Sequence, residues 1–352
     1  MGITRTTSED PEIASDVDHE ESSQPVYKRR KTEQPQTVYP LSVTTIESPL
    51  QFKSSTYHSE IPIEILENKE LPVVLGVDEA GRGPVLGPMV YGIAYSLENF
   101  SKDLQKKYGF ADSKTLKEER RQELFDTIEQ KNSELNKHVG WATTTLTARD
   151  ISSGMLKCNG KAYNLNEQAH DTTIDLIKSI VSRGVNVKKV YVDTVGPPST
   201  YQAKLSKIFE GIEITVAKKA DSIYPIVSTA SIVAKVTRDQ NLKWFNNNVT
   251  ILQGHNLGSG YPSDPNTSKW LNNNVDKVFG WCYGFIRFSW QTAKDSLVKN
   301  GAVNVIYEDQ VTKKDSGGYS DVGGFFNGSN NSTNDKSSYI DKSYYNSDQV
   351  DL

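Results

Sequence analysis

Asp78 and Glu79 stand side by side at the end of an apolar run, residues 71–77, and are followed by Ala80-Gly81-Arg82-Gly83-Pro84. Adjacent carboxylates repel, so an apolar setting raises one of their pKa values unless a divalent cation or a basic neighbour offsets the charge. Oxygen donors of this kind suit magnesium or manganese better than zinc. Gly81 and Gly83 lack Cβ atoms and so admit the close approach of a substrate backbone to main-chain amides. Taken alone, the motif also suits an exposed acidic turn before a flexible loop. Two further carboxylates weigh against that reading. Asp193 closes the apolar run Val190-Tyr191-Val192 and precedes Thr194-Val195-Gly196-Pro197-Pro198, repeating the arrangement at Asp78; Asp221, in Lys218-Lys219-Ala220-Asp221-Ser222, follows the run 212–216. Each aspartate singly is more often an N-cap or turn former. Strand exits in an α/β sheet open on a shared crevice, however. Four carboxylates there would hold two divalent ions roughly 4 Å apart, one activating an attacking water and the other stabilising the leaving oxygen of a phosphodiester.

These side chains need elements to position them. Residues 71–77 read as a buried strand bounded by Pro72 and a turn signal. Residues 89–95, the threonine-rich 141–147, 190–192 and 212–216 read as four more. Thr115-Leu116-Lys117-Glu118 has capping-box spacing ahead of a helix whose Leu124, Phe125 and Ile128 share a face. A second helix carries Ile174, Ile177 and Val181 and stops near Gly184. From Pro225, a third sets Ile226, Ala230, Val233 and Ala234 on a core face and Ser228, Ser231, Lys235 and Arg238 on a polar stripe. Lys235 is predicted to face the crevice, although the pattern fits a solvated face equally. Strands first, then strand and helix in alternation, predict an α/β fold with a mixed sheet flanked by helices.

The chain has 352 residues, 36% of them hydrophobic and 24% charged, enough for one sizeable domain with extensions. Residues 1–69 are rich in Ser, Thr, Glu and Pro, and residues 306–352 in Ser, Asn, Asp, Gly and Tyr. Both read as disordered arms, because neither buries enough apolar surface to fold alone. The predicted domain is therefore 70–305, its last part, from about 245, helical. Segment by segment the charge is uneven: 7 basic against 12 acidic residues in 1–69, 29 against 24 in 70–300, and 4 against 8 in 301–352. A mildly basic middle between acidic arms fits a nucleic-acid partner. Two cysteines, Cys158 and Cys282, are too few for a disulfide scaffold or zinc cluster and suit a reducing compartment. No signal-peptide core or membrane-length apolar stretch is present, so the reading is a soluble intracellular protein, not a membrane protein. Lys28-Arg29-Arg30-Lys31 is either a nuclear import signal or a solvated charge run.

Taken together, Asp78-Glu79-Ala80-Gly81-Arg82-Gly83, Asp112-Ser113-Lys114, Val192-Asp193-Thr194-Val195-Gly196, Lys219-Ala220-Asp221-Ser222-Ile223-Tyr224-Pro225 and Gly258-Ser259-Gly260-Tyr261-Pro262 strongly resemble type 2 ribonuclease H, in particular the catalytic subunit of the eukaryotic enzyme. The resemblance runs from about residue 70 to about 297, with the motifs in order. It implies the ribonuclease H-like α/β fold, a five-stranded mixed sheet with flanking helices and a C-terminal helical extension. It implies Asp78, Glu79, Asp193 and Asp221 as catalytic ligands of two Mg2+ or Mn2+ ions. It puts Gly81, Arg82 and Gly83 against the ribonucleotide 2′-OH and the scissile phosphate, and Tyr261 on the same 2′-OH with its ring on the neighbouring deoxyribose. The implied activity cuts the RNA strand of RNA–DNA hybrids and cuts 5′ to single ribonucleotides in duplex DNA, leaving a 3′-hydroxyl and a 5′-phosphate. Such an enzyme serves ribonucleotide removal and primer removal in a nucleus, in a heterotrimer with two non-catalytic subunits docked around residues 285–297.

Several of these residues also have plainer readings. Arg82 and Lys114 are candidate phosphate contacts, with Ser113 beside them, yet Lys114 also suits the surface. Tyr261 alone would pass for a packing tyrosine at a turn. The run Phe279-Gly280-Trp281-Cys282-Tyr283-Gly284-Phe285 suits an interface or, as the default, core. Asp239 and His255 read as structural. A junction resolvase or transposase of the same fold class, insensitive to the 2′-OH, is the alternative enzyme. A hybrid-binding scaffold is the non-enzymatic one, and four carboxylates near phosphate count against it.

Overall fold

Six strands form one sheet among the described residues: β1 (Ser55–His58), β2 (Val73–Ala80), β3 (Met89–Leu97), β4 (Gly140–Leu146), β5 (Val187–Asp193) and β6 (Glu213–Ala217), in the order β1-β4-β3-β2-β5-β6. The structure, a computed structural model, describes residues 39–44, 53–110, 113, 115–157, 162–194, 196–281 and 284–304. β2 runs antiparallel to β3 and parallel to β5, and β5 runs parallel to β6, so the sheet is mixed. Val73, Val74, Leu75 and Val77 of β2 are all buried, as a central strand covered on both faces requires.

Each face has its own core. On one face, helix Leu165–Ser182 and helix Pro198–Ile208 bring Ile174, Ile177, Ile180 and Leu205 against Leu75, Val77 and Val192. On the other, helix Pro225–Asn248 and helix Glu118–Glu129 pack Ile226, Ala230, Val233, Leu124, Phe125 and Ile128 against Val74 and Ala94. The long helix lies directly on strand backbone: a Cβ at Gly76 would fall 2.5 Å from the Ile226 carbonyl oxygen, and one at Gly92 2.6 Å from that of Ala230. A third cluster, with Leu242, Phe245, Trp270, Trp281 and Phe285, secures the C-terminal region to the end of that helix.

The sheet has six strands where five were expected. The added strand β1 falls in the segment whose composition had been read as arm, as does helix Ile63–Glu67, so the fold begins before residue 70. Its signal is weak because Ser55 and Thr56 are exposed, and what holds it is tertiary: Thr56 shares a 2.8 Å hydroxyl bond with Thr144, and the Tyr57 ring lies 4.9 Å from that of Trp141. β2 also extends further than expected, placing Asp78 and Glu79 inside the strand. The capping box at Thr115 does not form. The helix starts at Glu118 with Lys117 as its cap and no side-chain cap bond, while Arg121 reaches back to the Ser113 and Leu116 carbonyls.

In the segment 285–297, Phe285, Ile286, Arg287, Ala293 and Ser296 are buried while Gln291, Lys294 and Asp295 are exposed. In the aromatic run before it Trp281 and Phe285 are likewise core, while Phe279 is exposed. No helix among the described residues is long and apolar enough to cross a membrane. Expectations about the arm 1–38, the tail from 305, Lys28-Arg29-Arg30-Lys31, Asp112, Lys114, Cys158 and Cys282 lie outside the described residues.

Candidate active site

Parallel pairing sets the carboxylates side by side. β2 and β5 pair Val77 with Val192, so Asp78 and Asp193 follow at adjacent strand positions. β5 and β6 pair Asp193 with Ala217, and Asp193 Oδ1 accepts a 2.8 Å bond from the amide of Ala220, next to Asp221. The turn between them uses Lys219 in the left-handed region, at φ 55°, an uncommon conformation for a residue with a side chain. It swings the chain from β6 into the short helix Ala220–Ser222, which carries Asp221 into the interior at 2% exposure.

Asp78 is buried, and its Oδ1 accepts from the Glu79 amide at 2.8 Å. Burial, followed by the charges of Glu79 and Asp193, pushes its carboxyl well above the ordinary carboxylate range, against the pull of hydrogen bonds from Ser231 and the Glu79 amide. Ser231 in turn shares a 2.8 Å bond with Ser113, so the expected Ser113 reaches Asp78 through one intervening hydroxyl. No three of the described His, Cys, Asp and Glu side chains converge on one point as they stand. The donor set nonetheless fits a hard divalent cation: all four groups are carboxylates, and buried Asp78 stands beside the charges of Glu79 and Asp193, which a cation would offset.

The Gly81-Arg82-Gly83 loop is held from beneath by a residue that sequence reasoning did not single out. Arg287 is fully buried and donates to the carbonyls of Gly81 at 2.5 Å, Arg82 at 2.9 Å and Gly87 at 3.0 Å. Its guanidinium lies 4.7 Å from the Trp290 ring, and the Trp290 indole N–H donates to the Gly83 carbonyl at 3.1 Å. In a trans peptide, a carbonyl turned inward turns the following N–H outward. The Arg82 and Gly83 amides therefore face away from Arg287. Gly81 sits at φ 79°, where a Cβ would meet the Pro88 carbonyl oxygen at 2.7 Å, so this position requires glycine. Arg82 itself reaches Asn166 at the start of helix Leu165–Ser182.

Tyr261 borders the loop directly: a Cβ on Gly83 would lie 3.4 Å from its ring. The turn carrying it is tied to the same loop, because the Gly260 carbonyl accepts from the Val85 and Leu86 amides at 2.8 and 3.2 Å. Buried Arg238 places its guanidinium 5.6 Å from the Tyr261 ring and donates to the Ser259 carbonyl at 2.6 Å. Lys235 lines a cavity of about 330 Å3 with Tyr261, Lys243 and His255. A larger cavity of about 380 Å3 opens on the other side, along Glu79, Arg82 and Asp193.

A mixed sheet with carboxylates at three adjoining strand ends, and helices on both faces, defines an α/β fold of nuclease type. The chain matches Ribonuclease HII over residues 75–293 and belongs to that family. It is an enzyme, a ribonuclease H endonuclease. The A subunit of ribonuclease H2 from Schizosaccharomyces pombe is 55% identical over 245 residues, covering 70% of this chain and 72% of that protein. Its counterpart of the same name from Neurospora crassa is 48% identical over 287 residues, 78% of this chain and 87% of that one. Among solved structures, ribonuclease H2 from Pyrococcus horikoshii is similar with a TM-score of 0.54 and 29% identity, covering 65% of this chain and 98% of that one.

Proposed function

We propose that this endonuclease hydrolyses the RNA strand of RNA–DNA hybrids and cuts 5′ to single ribonucleotides in duplex DNA, leaving a 3′-hydroxyl and a 5′-phosphate. The observation that carries the reading is the contact of Tyr261 with Gly83, immediately beside the carboxylate-bearing strand ends. The 2′-OH is the one group that separates RNA from DNA at a given position, and it both donates and accepts. The outward Arg82 and Gly83 amides and the Tyr261 hydroxyl approach such a group from two sides. A site built to pair a hydroxyl discriminates strongly against its absence, since its own polar groups are then left unpaired. The Tyr261 ring, packed beside a sugar, favours a deoxyribose next in the strand and so a ribose-to-deoxyribose junction.

Asp78, Glu79, Asp193 and Asp221 would hold two divalent ions, Mg2+ or Mn2+. When bound, such ions supply an activated water and neutralise charge on the leaving oxygen. The chain's own part is to orient: Ser231 and the Glu79 amide fix Asp78, and the Ala220 amide fixes Asp193. Arg82 presents a planar fork to a phosphate. Both relatives carry names that make them one subunit of a larger enzyme; by that likeness this chain works with two non-catalytic subunits on its C-terminal part, where Val278, Phe279 and Val298 are exposed. The basic cluster Lys28-Arg29-Arg30-Lys31 would direct it to the nucleus, the site of ribonucleotide and primer removal.

Asp78→Asn removes a ligand charge without changing side-chain size. Cleavage of a labelled RNA–DNA hybrid in magnesium is expected to fall by at least about 1,000-fold, with the circular dichroism spectrum unchanged. Undiminished cleavage by the folded variant would refute the site.

A further inference from the structure

The cavity beside Glu79 and Asp193 is larger than two carboxylates need. At about 380 Å3 it lies between helices Leu165–Ser182 and Pro198–Ile208, on the sheet face opposite the long helix. Its floor is buried and apolar, with Val77, Tyr91 and Val192, while its rim includes half-buried His170 and the exposed Thr200 and Lys204. The His170 ring is stacked on Tyr201 at 4.0 Å. Lys204 meets Asp171 at 3.6 Å, with both side chains partly exposed, an arrangement in which an ion pair contributes little and yields readily to another anion. Nothing in the orientation of the carboxylates or in 2′-OH reading uses these rim residues.

Strand polarity gives them a role, which rests on the proposed function. There the nucleoside 3′ of the cut is held between Tyr261 and the Gly83 end of the loop, on the long helix's side, while Arg82 reaches Asn166 and lines the mouth of this cavity. A strand crossing the carboxylates must then leave on the opposite side, over Asp193 and the rim of this cavity. We infer that the rim is a phosphate subsite for the first two nucleotides on the 5′ side of the cut, with Lys204 as its principal cation and His170 and Thr200 as hydrogen-bonding neighbours. Phosphate contacts of this kind fix register without reading sequence. The subsite makes the enzyme dependent on an upstream segment that the 2′-OH reader does not touch.

The test pairs a substrate change with a protein change. Duplexes carrying one ribonucleotide are made with neutral methylphosphonates in place of the two phosphates upstream of the scissile one, and cut by the full chain with whatever co-purifies with it. Neutralisation is expected to lower wild-type kcat/KM by about tenfold, the worth of one charge-assisted contact. Lys204→Ala should show the same loss on the all-phosphate duplex and no further loss on the neutralised one, and Lys204→Arg should restore most of it. Methylphosphonates placed 3′ of the ribonucleotide should affect wild type and Lys204→Ala equally. Losses that multiply on the upstream substrate, or a silent Lys204→Ala, would overturn the subsite while leaving ribonucleotide cutting intact. Failure of the wild type to cut at the ribonucleotide would overturn the subsite together with the reading beneath it.

Discussion

Tyr261 is exposed, with Arg238 and Gly83 against its ring, so it presents both a hydroxyl and a ring to a ligand. Tyr261→Phe keeps the ring and removes the hydroxyl. It is expected to reduce incision at a single ribonucleotide by about 10- to 100-fold, more than it reduces cutting of a continuous hybrid, where successive 2′-OH groups offer alternative registers. Equal losses on the two substrates would count against its role. Glu129, away from the carboxylates, is a test of electrostatics alone. Burial raises its pKa to about 7, Asp126 adds to the rise, and a hydrogen bond from the Leu41 amide opposes it. A group whose folded pKa is raised contributes stability below its unfolded pKa and loses it as pH climbs through the folded value. Glu129→Gln should therefore melt at a higher temperature than wild type at pH 8, the difference closing by pH 5. A variant less stable at pH 8 would contradict this.

The elements show what a single chain pattern conveys and what it does not. The strands that carry Asp78 and Asp193 announce themselves as apolar runs ending in a carboxylate, and the buried face of helix Glu118–Glu129 follows from its periodicity. β1 does not, because its register is set by pairing with β4, some 90 positions away in the chain. The Lys219 turn that brings in Asp221 was equally hidden, since nothing in a lysine announces a positive φ. Arg287 had only a faint signal, a lone charge within Phe285-Ile286-Arg287-Phe288. Its three carbonyl partners lie some 200 residues earlier and become visible only once the fold closes. Lys at this position keeps the charge but not the fork. Arg287→Lys should lower the melting temperature by several degrees, as buried carbonyls lose partners at about 1–3 kcal/mol each. It should also lower cleavage more than tenfold by loosening the loop. Full activity in that variant would show that the loop's anchoring does not matter.

Across the whole molecule, the loop of residues 81–86 and the turn of residues 258–261 form one ledge, tied by backbone bonds from Val85 and Leu86 to Gly260, with a cavity on either side. The sequence motifs located that ledge, because glycines, a tyrosine and carboxylates are each chemically distinctive. They did not show that Lys235 lines a cavity with Tyr261, since a helix stripe fixes a face and leaves its distance along the site open. The basic middle of the chain, between acidic arms, suits a duplex laid across this ledge. On this reading the ledge recognises one 2′-OH and the adjoining carboxylates cut beside it. The direct test is to map incision, at single-nucleotide resolution in magnesium, on a duplex with one ribonucleotide and on the matching all-DNA duplex. A single cut is expected on the 5′ side of the ribonucleotide, leaving a 5′-phosphate on the ribonucleotide fragment, and none in all-DNA. Cutting of both duplexes at comparable rates, or a cut on the 3′ side, would contradict it.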